Sequence, residues 1–269
     1  MSRLPLWIQK LNPFTPLKRV VVSPDFPQAA PLVRELEEHF ATLGEVIYKA
    51  RNVIRIMPGP GGRIVVKRFG KIFLANRLVY AWIRPSKARR SYLNGRELLR
   101  RGVATPAPIA YTEQFRGGAL RDSMYVYAYY AGDDNMRRVL KEKDYPDREA
   151  LLRSFARYAC SLLDKGIFHK DFSPGNILFG KQDADYRFTL IDINRIAFGP
   201  VAPQKRIQVF RRLFADEDTL RVLAAEYARV TGEDPLRVTA VMTGYSRRFI
   251  EKKTRKKKIK KMLGLGRHR

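Results

Sequence analysis

Apolar residues at Leu32, Val33, Leu36, Phe40 and Leu43 recur at helical spacing and predict a helix over 31–43, with Pro31 in its first turn and Gly44 at its end. Two runs rich in Val and Ile follow, "EVIYKARNVIRIM" and "RIVVKRF", joined by "PGPGG"; they read as an antiparallel β-hairpin. Residues 86–101 read as a helix weakened by Asn94-Gly95, and "PAPIAYTEQF" and "SMYVYAYYAG" as two more strands. "DREALLRSFARYACSLLDKG" is strongly amphipathic, with Leu151, Leu152, Phe155, Ala159, Leu162 and Leu163 on one side. Beyond it, the short apolar runs "ILF" and "TLI" can pair as a hairpin, and helical patterns cover 204–214, 216–230 and about 235–250. Residues 1–24 carry scattered prolines and read as an irregular extension. A β-rich first half and a helical second half give an α+β class.

The chain of 269 residues is 45% hydrophobic, enough to bury a real core. A single cysteine, Cys160, lies at an apolar helical position; it excludes an intramolecular disulfide and a cysteine-based zinc site, and reads as core. No secretory signal or membrane-spanning run is recognised, so a cytoplasmic protein is expected. Charge changes the picture most. The formal net charge is +27, and the last 23 residues hold twelve Lys/Arg against one Glu. Such a field attracts polyanions: an anionic membrane surface, a phosphorylated substrate or nucleic acid. In the tail, Ile250, Ile259, Met262 and Leu263 are the apolar anchors among the cations, as in a helix lying on a membrane. The other reading of the tail is a solubilising, disordered end.

Candidate chemistry centres on "HKDFSPGNILFG", residues 169–180. Asp171 and Asn176 share a loop whose turn is Ser173-Pro174-Gly175, and the "ILF" strand braces it. Pairing of "ILF" with "TLI" would return Asp192 to the neighbourhood of Asn176. One carboxylate and one amide oxygen form a hard site suited to Mg²⁺, and Asp171 is left to orient or deprotonate a hydroxyl. His169 is expected to shape the loop through a backbone hydrogen bond.

The ordered set His169-Lys170-Asp171 and Asn176, followed by "LIDINR" with Asp192, resembles the catalytic and metal-binding segments of the protein-kinase-like fold. That resemblance implies two lobes: a small antiparallel-sheet N-lobe over 25–131 and a mainly helical C-lobe over 132–246, flanked by the extension 1–24 and a basic tail 247–269. It implies that Lys67 in "RIVVKRF" binds ATP phosphates, held by Glu97, and that the hinge runs from Tyr129 to Gly132. No Gly-x-Gly-x-x-Gly loop is present. "YKARN" stands in its place, so Lys49, Arg51 and Asn52 become candidates for phosphate contact. Ser173 stands where protein serine/threonine kinases have a lysine, and Lys170 is the candidate to supply that charge. No Ala-Pro-Glu segment follows Asp192, which argues against a long, phosphorylatable activation loop.

"VVKRF", "NRLVYAWIRPSKARRSYLNGRELLRRGVATPAPIAY", "HKDFSPGNILF" and "LIDINRIAF" are similar to the bacterial lipopolysaccharide core kinases, the heptose/Kdo kinase family. The resemblance implies ATP-dependent phosphorylation of a sugar hydroxyl on the inner core of lipid A, with Mg²⁺ on Asn176 and Asp192, at the inner face of the inner membrane. The implied partners are an anionic glycolipid and, through the tail, the membrane surface; no obligate protein partner is evident. Two other classes stay open: a kinase of the same fold acting on a small molecule such as an aminoglycoside, or on a protein; and a basic pseudokinase that binds membrane or RNA. No expected site residue lies beyond Asp192, so the tail is expected to be dispensable for transfer to a soluble acceptor.

Overall fold

The computed structural model describes residues 17–70, 84–117, 119–130, 134–183 and 185–263. Most of the aromatic, arginine-rich insertion after Gly70 and the Gly132 end of the expected hinge lie outside them. The chain divides into two compact units: Met1–Ala131 with Asp192–Asn194, and Gly132–Ile191 with Arg195–Arg269.

The first unit is a six-stranded antiparallel sheet. Its strands are β1 (Leu17–Val22), β2 (Glu45–Lys49), β3 (Val53–Gly59), β4 (Gly62–Arg68), β5 (Pro108–Arg116) and β6 (Ala119–Ala128), in the order β1-β5-β6-β4-β3-β2. β1 corrects the expected irregular extension: Val20-Val21-Val22 pairs in register with Thr112, Tyr111 and Ala110 of β5. "PGPGG" closes the β3–β4 hairpin, with Gly59 opposite Gly62, and "YKARN" runs from the end of β2 into the turn before β3.

Both faces of this sheet are covered, which is why its central strands read as nearly continuous apolar runs. Helix α1 (Ala30–His39) buries Val33 and Leu36, together with Phe40, against Met57, Val66, Ala110, Met124 and Val126. The neighbouring positions point to the other face. There Tyr111 and Tyr125 join Phe69, Ala88 and Tyr92, the last two from helix α2 (Lys87–Arg100). Asn94-Gly95 does not break α2. A Cβ at position 95 would sit 3.2 Å from the Ile193 Cδ1 and 3.3 Å from Pro108, so the glycine permits close packing.

The second unit is built on helix α4 (Arg148–Asp164), which follows the two-residue strand β7 (Asp134–Asn135) and the short helix α3 (Met136–Lys141). The apolar stripe of α4 is buried as its periodicity predicts, from Leu151 to Leu163. Cys160 lies in it, and burial pushes its thiol up to about 11. Phe155 stacks on Phe172 with centroids 5.5 Å apart and the ring planes 10° from parallel. Phe172 is fully buried and immediately follows Asp171, so this ring pair fixes the chain where the expected base stands. Phe172→Leu keeps most of the volume but loses the stack; it should lower unfolding stability by about 1–2 kcal/mol in a urea titration. An unchanged midpoint would remove the stack as an anchor.

Strands β9 (Ile177–Gln182) and β10 (Asp185–Leu190) form the expected hairpin, with Ile177 opposite Leu190, and β8 (Ile167–His169) pairs with β11 (Ile196–Phe198). The 204–214 pattern is a short helix α5 (Pro203–Arg206) followed by a 3₁₀ turn over Ile207–Arg212. Helix α6 (Glu217–Thr231) ends at Gly232, whose φ of 72° is the left-handed conformation glycine adopts at no steric cost. Helix α7 (Pro235–Met262) is continuous across residue 247, so the basic tail does not begin as a separate segment there.

Candidate active site

In the first unit, Lys67 on β4 is 7% exposed, and its Nζ lies 2.6 Å from Oδ1 of Asp192. Asp192 has a φ of 53°, the left-handed region, where an aspartate is tolerated better than most side chains. The segment around it is anchored by α2. Asn94 Nδ2 donates to the Ile193 carbonyl at 2.7 Å, and Arg90 donates to the Asn194 carbonyl at 3.1 Å. Asn194, itself buried, donates from Nδ2 to Asp192 Oδ1 at 2.7 Å. Sequence reasoning missed Arg90, Asn94 and Asn194. Their functional signal was weak, because Asn94 read only as a helix breaker.

Glu97 does not hold Lys67. Its carboxylate accepts from Arg100 at 2.7 and 2.8 Å and from Arg101 at 2.7 Å, and these hydrogen bonds hold it down at about 2. The reason is local: arginines three and four residues later on the same helix face are nearer than any strand lysine. Glu97 is also the one acid in α2, so Lys67 takes its counter-charge from Asp192 instead.

A second cation joins this cluster. Lys87 begins α2 behind its N-cap, Ser86, whose Oγ accepts from the Arg89 N–H at 3.0 Å. The Nζ atoms of Lys67 and Lys87 stand 5.4 and 5.8 Å from the Phe69 ring centroid. Burial, then the charges of Arg51 and Arg90, lower Lys87 to about 8, against the opposing pull of Asp192. A lowered value means that the neutral, nucleophilic amine is populated from about pH 8 upward. Lys87 should therefore acylate with a half-maximal rate near pH 8, well below the surface lysines. Site-resolved mass spectrometry across pH checks this; a half-point with the bulk lysines would contradict it.

Of the expected phosphate-loop residues, Lys49 and Arg51 are exposed. Asn52 has a structural duty: its Oδ1 accepts from the Gly70 N–H at 3.3 Å. Gly70 lies so close to the Arg51 carbonyl that any Cβ there would collide with it.

In the second unit, the 169–176 loop is held by its own backbone. His169 is 2% exposed, and its Nδ1 accepts from the Asp171 N–H at 3.0 Å, the loop-shaping bond expected of it. Ser173 N–H donates to the Asp171 carbonyl at 2.7 Å, and Asn176 N–H to the Ser173 carbonyl at 2.9 Å. Asn176 Nδ2 donates to the Asp171 carbonyl at 3.0 Å, which leaves the amide oxygen for another partner. Ile191 N–H closes the far side on the Asn176 carbonyl at 2.9 Å, one residue before Asp192. Lys170, in the turn after β8, is exposed, and its backbone N–H donates to the Arg195 carbonyl at 2.8 Å.

The Asp171 carboxylate is paired with Arg212 at 2.7 Å and Arg195 at 3.4 Å. Neither arginine was expected at the site. Asp171 lines a cleft of about 760 Å³ within the second unit, together with Ser173, Pro174 and Gly175 of its own loop. The other walls come from α3, the Arg212–Phe214 stretch and α7, which contributes Phe249, Lys252, Lys253 and Lys256. Residues beyond 247 thus share a cleft with Asp171, against the expectation that the tail stands apart.

A metal would need hard oxygen donors. Asp192 of the first unit offers a carboxylate, and Asn176 of the second an amide oxygen whose NH₂ already donates to the Asp171 carbonyl; each is the kind of hard donor that suits Mg²⁺. No cluster of three or more His, Cys, Asp or Glu able to hold a metal occurs among the described residues. Among those residues, too, no helix is long and apolar enough to cross a membrane.

Comparison with known proteins gives a concordant result. The family model of the lipopolysaccharide kinase (Kdo/WaaP) family matches residues 64–231. Among curated proteins, ribosomal protein S6 kinase 2 alpha of Xenopus laevis is 28% identical over 142 residues, which cover 52% of this chain and 18% of that protein. The chain thus spans about a fifth of the length of that relative. Among solved structures, WaaP in complex with acyl carrier protein is similar with a TM-score of 0.59 and 19% identity, covering 87% of this chain and 98% of that one. WbdD bound to a kinase inhibitor matches with a TM-score of 0.43 and 18% identity, over 74% of this chain and 44% of that one. The match of the family model over most of the chain, on a protein-kinase-like fold, makes this phosphotransferase a member of the lipopolysaccharide kinase (Kdo/WaaP) family.

Proposed function

We propose that the chain transfers the terminal phosphoryl group of ATP to a hydroxyl of a Kdo or heptose sugar on the lipopolysaccharide inner core, acting from the cytoplasmic face of the inner membrane. The observation that carries the chemistry is the ion pair between buried Lys67 and the partly exposed Asp192, set beside a second cation, Lys87. A lysine in a nearly dehydrated setting has most to gain from a phosphate. In this reading Lys67 and Lys87 hold the donor phosphates, and Lys49 and Arg51 contact them from the loop. Asn176 and Asp192 would hold Mg²⁺, which neutralises phosphate oxygens when bound.

Asp171 accepts the proton of the acceptor hydroxyl. Arg212 and Arg195 fix the orientation of its carboxylate. Lys170, exposed beside the loop and anchored through its backbone, is the candidate to supply charge to the transferred group. The exposed Ile259, Met262 and Leu263 at the end of α7 suit a peripheral membrane contact.

The test is radiolabelled phosphate transfer from ATP to Kdo–lipid A, a heptose-bearing core, an aminoglycoside panel and a generic protein, side by side. Label on the Kdo or heptose acceptor alone supports the reading. Label on the aminoglycosides or the protein alone moves the substrate to that class, and no label on any acceptor under Mg-ATP points to a pseudokinase. The WaaP structure is a complex with acyl carrier protein; adding that protein to each arm shows whether this chain responds to it.

A further inference from the structure

The cleft that holds Asp171 has an unusual charge balance. Arg137, Lys141, Arg212, Lys252, Lys253 and Lys256 line it, and Asp171 is the one acid among the lining residues. Asp171 is itself matched by Arg212 and Arg195, so the cleft keeps a large positive excess. The bland explanation is a solvated basic helix that passes nearby. Three observations oppose it.

First, α7 is clamped to the unit rather than loose. Phe249 meets Phe214 with centroids 5.6 Å apart, the Arg212 guanidinium lies 5.1 Å from the Phe249 ring centre, and Lys253 Nζ lies 4.1 Å from that of Phe214. Second, Phe214 has a φ of 57°, a left-handed conformation that a bulky side chain adopts only under constraint. Such a backbone is kept where the surroundings over-determine it, here at the clasp that seats α7. Third, the cations are sorted by helix face. Positions 249, 252, 253 and 256 fall on one side of α7 and line the cleft, whereas Arg255, Lys258 and Lys261 fall on the other.

We infer that the C-terminal helix completes the acceptor site: Lys252, Lys253 and Lys256, facing Arg137 and Lys141, bind anionic groups carried by the acceptor sugar next to the hydroxyl that Asp171 receives. This rests on the reading of Asp171 as the base. The acceptor class follows from the charge. It is a saccharide with at least two phosphate or carboxylate groups close to the reacting hydroxyl, because a neutral sugar would leave five cations facing one another unmatched.

The test uses the full chain and, as probe, the deacylated, water-soluble saccharide of Kdo–lipid A, alongside the same saccharide with its phosphates removed. Lys252→Gln/Lys253→Gln/Lys256→Gln should raise KM for the phosphorylated probe by roughly 10–100-fold, three solvent-exposed contacts each contributing a few-fold. KM for ATP and kcat should stay within about twofold. Lys→Arg at the same three positions should restore KM. A control of equal charge, Arg255→Gln/Lys258→Gln/Lys261→Gln, should leave it unchanged. On the dephosphorylated probe, wild type and the triple variant should perform alike.

A normal KM in the triple variant, or the same loss in the opposite-face control, overturns the inference. Loss of flotation with anionic vesicles beside unchanged soluble kinetics would reassign these lysines to the membrane. Calorimetric binding of the probe without nucleotide separates this site from the catalytic reading. Lysine-dependent binding with no transfer sinks the kinase assignment and keeps the site, and transfer that ignores the lysines does the reverse.

Discussion

Asp171→Asn is expected to lower turnover by about 10²–10⁴, the range for losing a positioned base, while the fold and nucleotide binding persist. The geometry says why the two effects should separate. The bonds that Asp171 contributes to the shape of the loop use its backbone: its N–H donates to His169, and its carbonyl accepts from Ser173 and Asn176. The neighbouring Phe172 stays locked on Phe155. An asparagine keeps the size of the side chain, so these contacts survive. What is lost is a proton acceptor and its pairing with Arg212 and Arg195. That pairing is partly exposed and contributes at most about 1 kcal/mol to stability. Single-turnover transfer, read beside nucleotide affinity and a urea midpoint, checks all three quantities. Near-normal transfer would remove Asp171 from the mechanism.

The features that could be read from the sequence were those with a period or a short motif. The sheet-then-helix order follows from apolar runs, and the amphipathic stripe from Leu151 to Leu163 is buried as it predicts. The β9–β10 hairpin follows from two short apolar runs, and His169 braces its loop as a structural histidine should. Contacts between distant segments carry no such signal. Arg212 reaches Asp171 from a 3₁₀ turn that reads as one more basic helix, and nothing in its spacing singles it out. The error over Glu97 is different, because its cause was visible. Arginines at the third and fourth positions after it are natural helix partners, yet the pairing with Lys67 rested on the family pattern alone. The boundary at 247 fails for a related reason. Charge density changes there, but Lys, Arg and Glu are good helix formers and neither glycine nor proline interrupts 245–263.

Asp192→Ala should abolish Mg²⁺-dependent nucleotide binding, and the structure adds a cost in stability that the motif alone does not suggest. Lys67 is 7% exposed and lies 2.6 Å from the Asp192 carboxylate, so removing the acid strands a cation in a nearly dry setting. Breaking a fully buried pair costs about 3–5 kcal/mol; the side chain of Asp192 is 36% exposed, and that screening lowers the expectation to about 1–3 kcal/mol. Two functions are thus lost through one residue, and a second substitution separates them. Lys67→Met in the Asp192→Ala background removes the stranded charge and keeps the stem that packs near Phe69. The double variant should regain most of the lost stability while remaining unable to bind Mg-ATP, because neither the metal ligand nor the phosphate cation returns. Urea unfolding gives the first quantity and calorimetric titration with Mg-ATP the second. Unchanged Mg-ATP affinity in Asp192→Ala would withdraw the metal assignment. Failure of Lys67→Met to recover stability would instead mean that Asp192 acts through Asn194 and the turn it anchors, where its Oδ1 accepts at 2.7 Å, rather than as the counter-charge of Lys67.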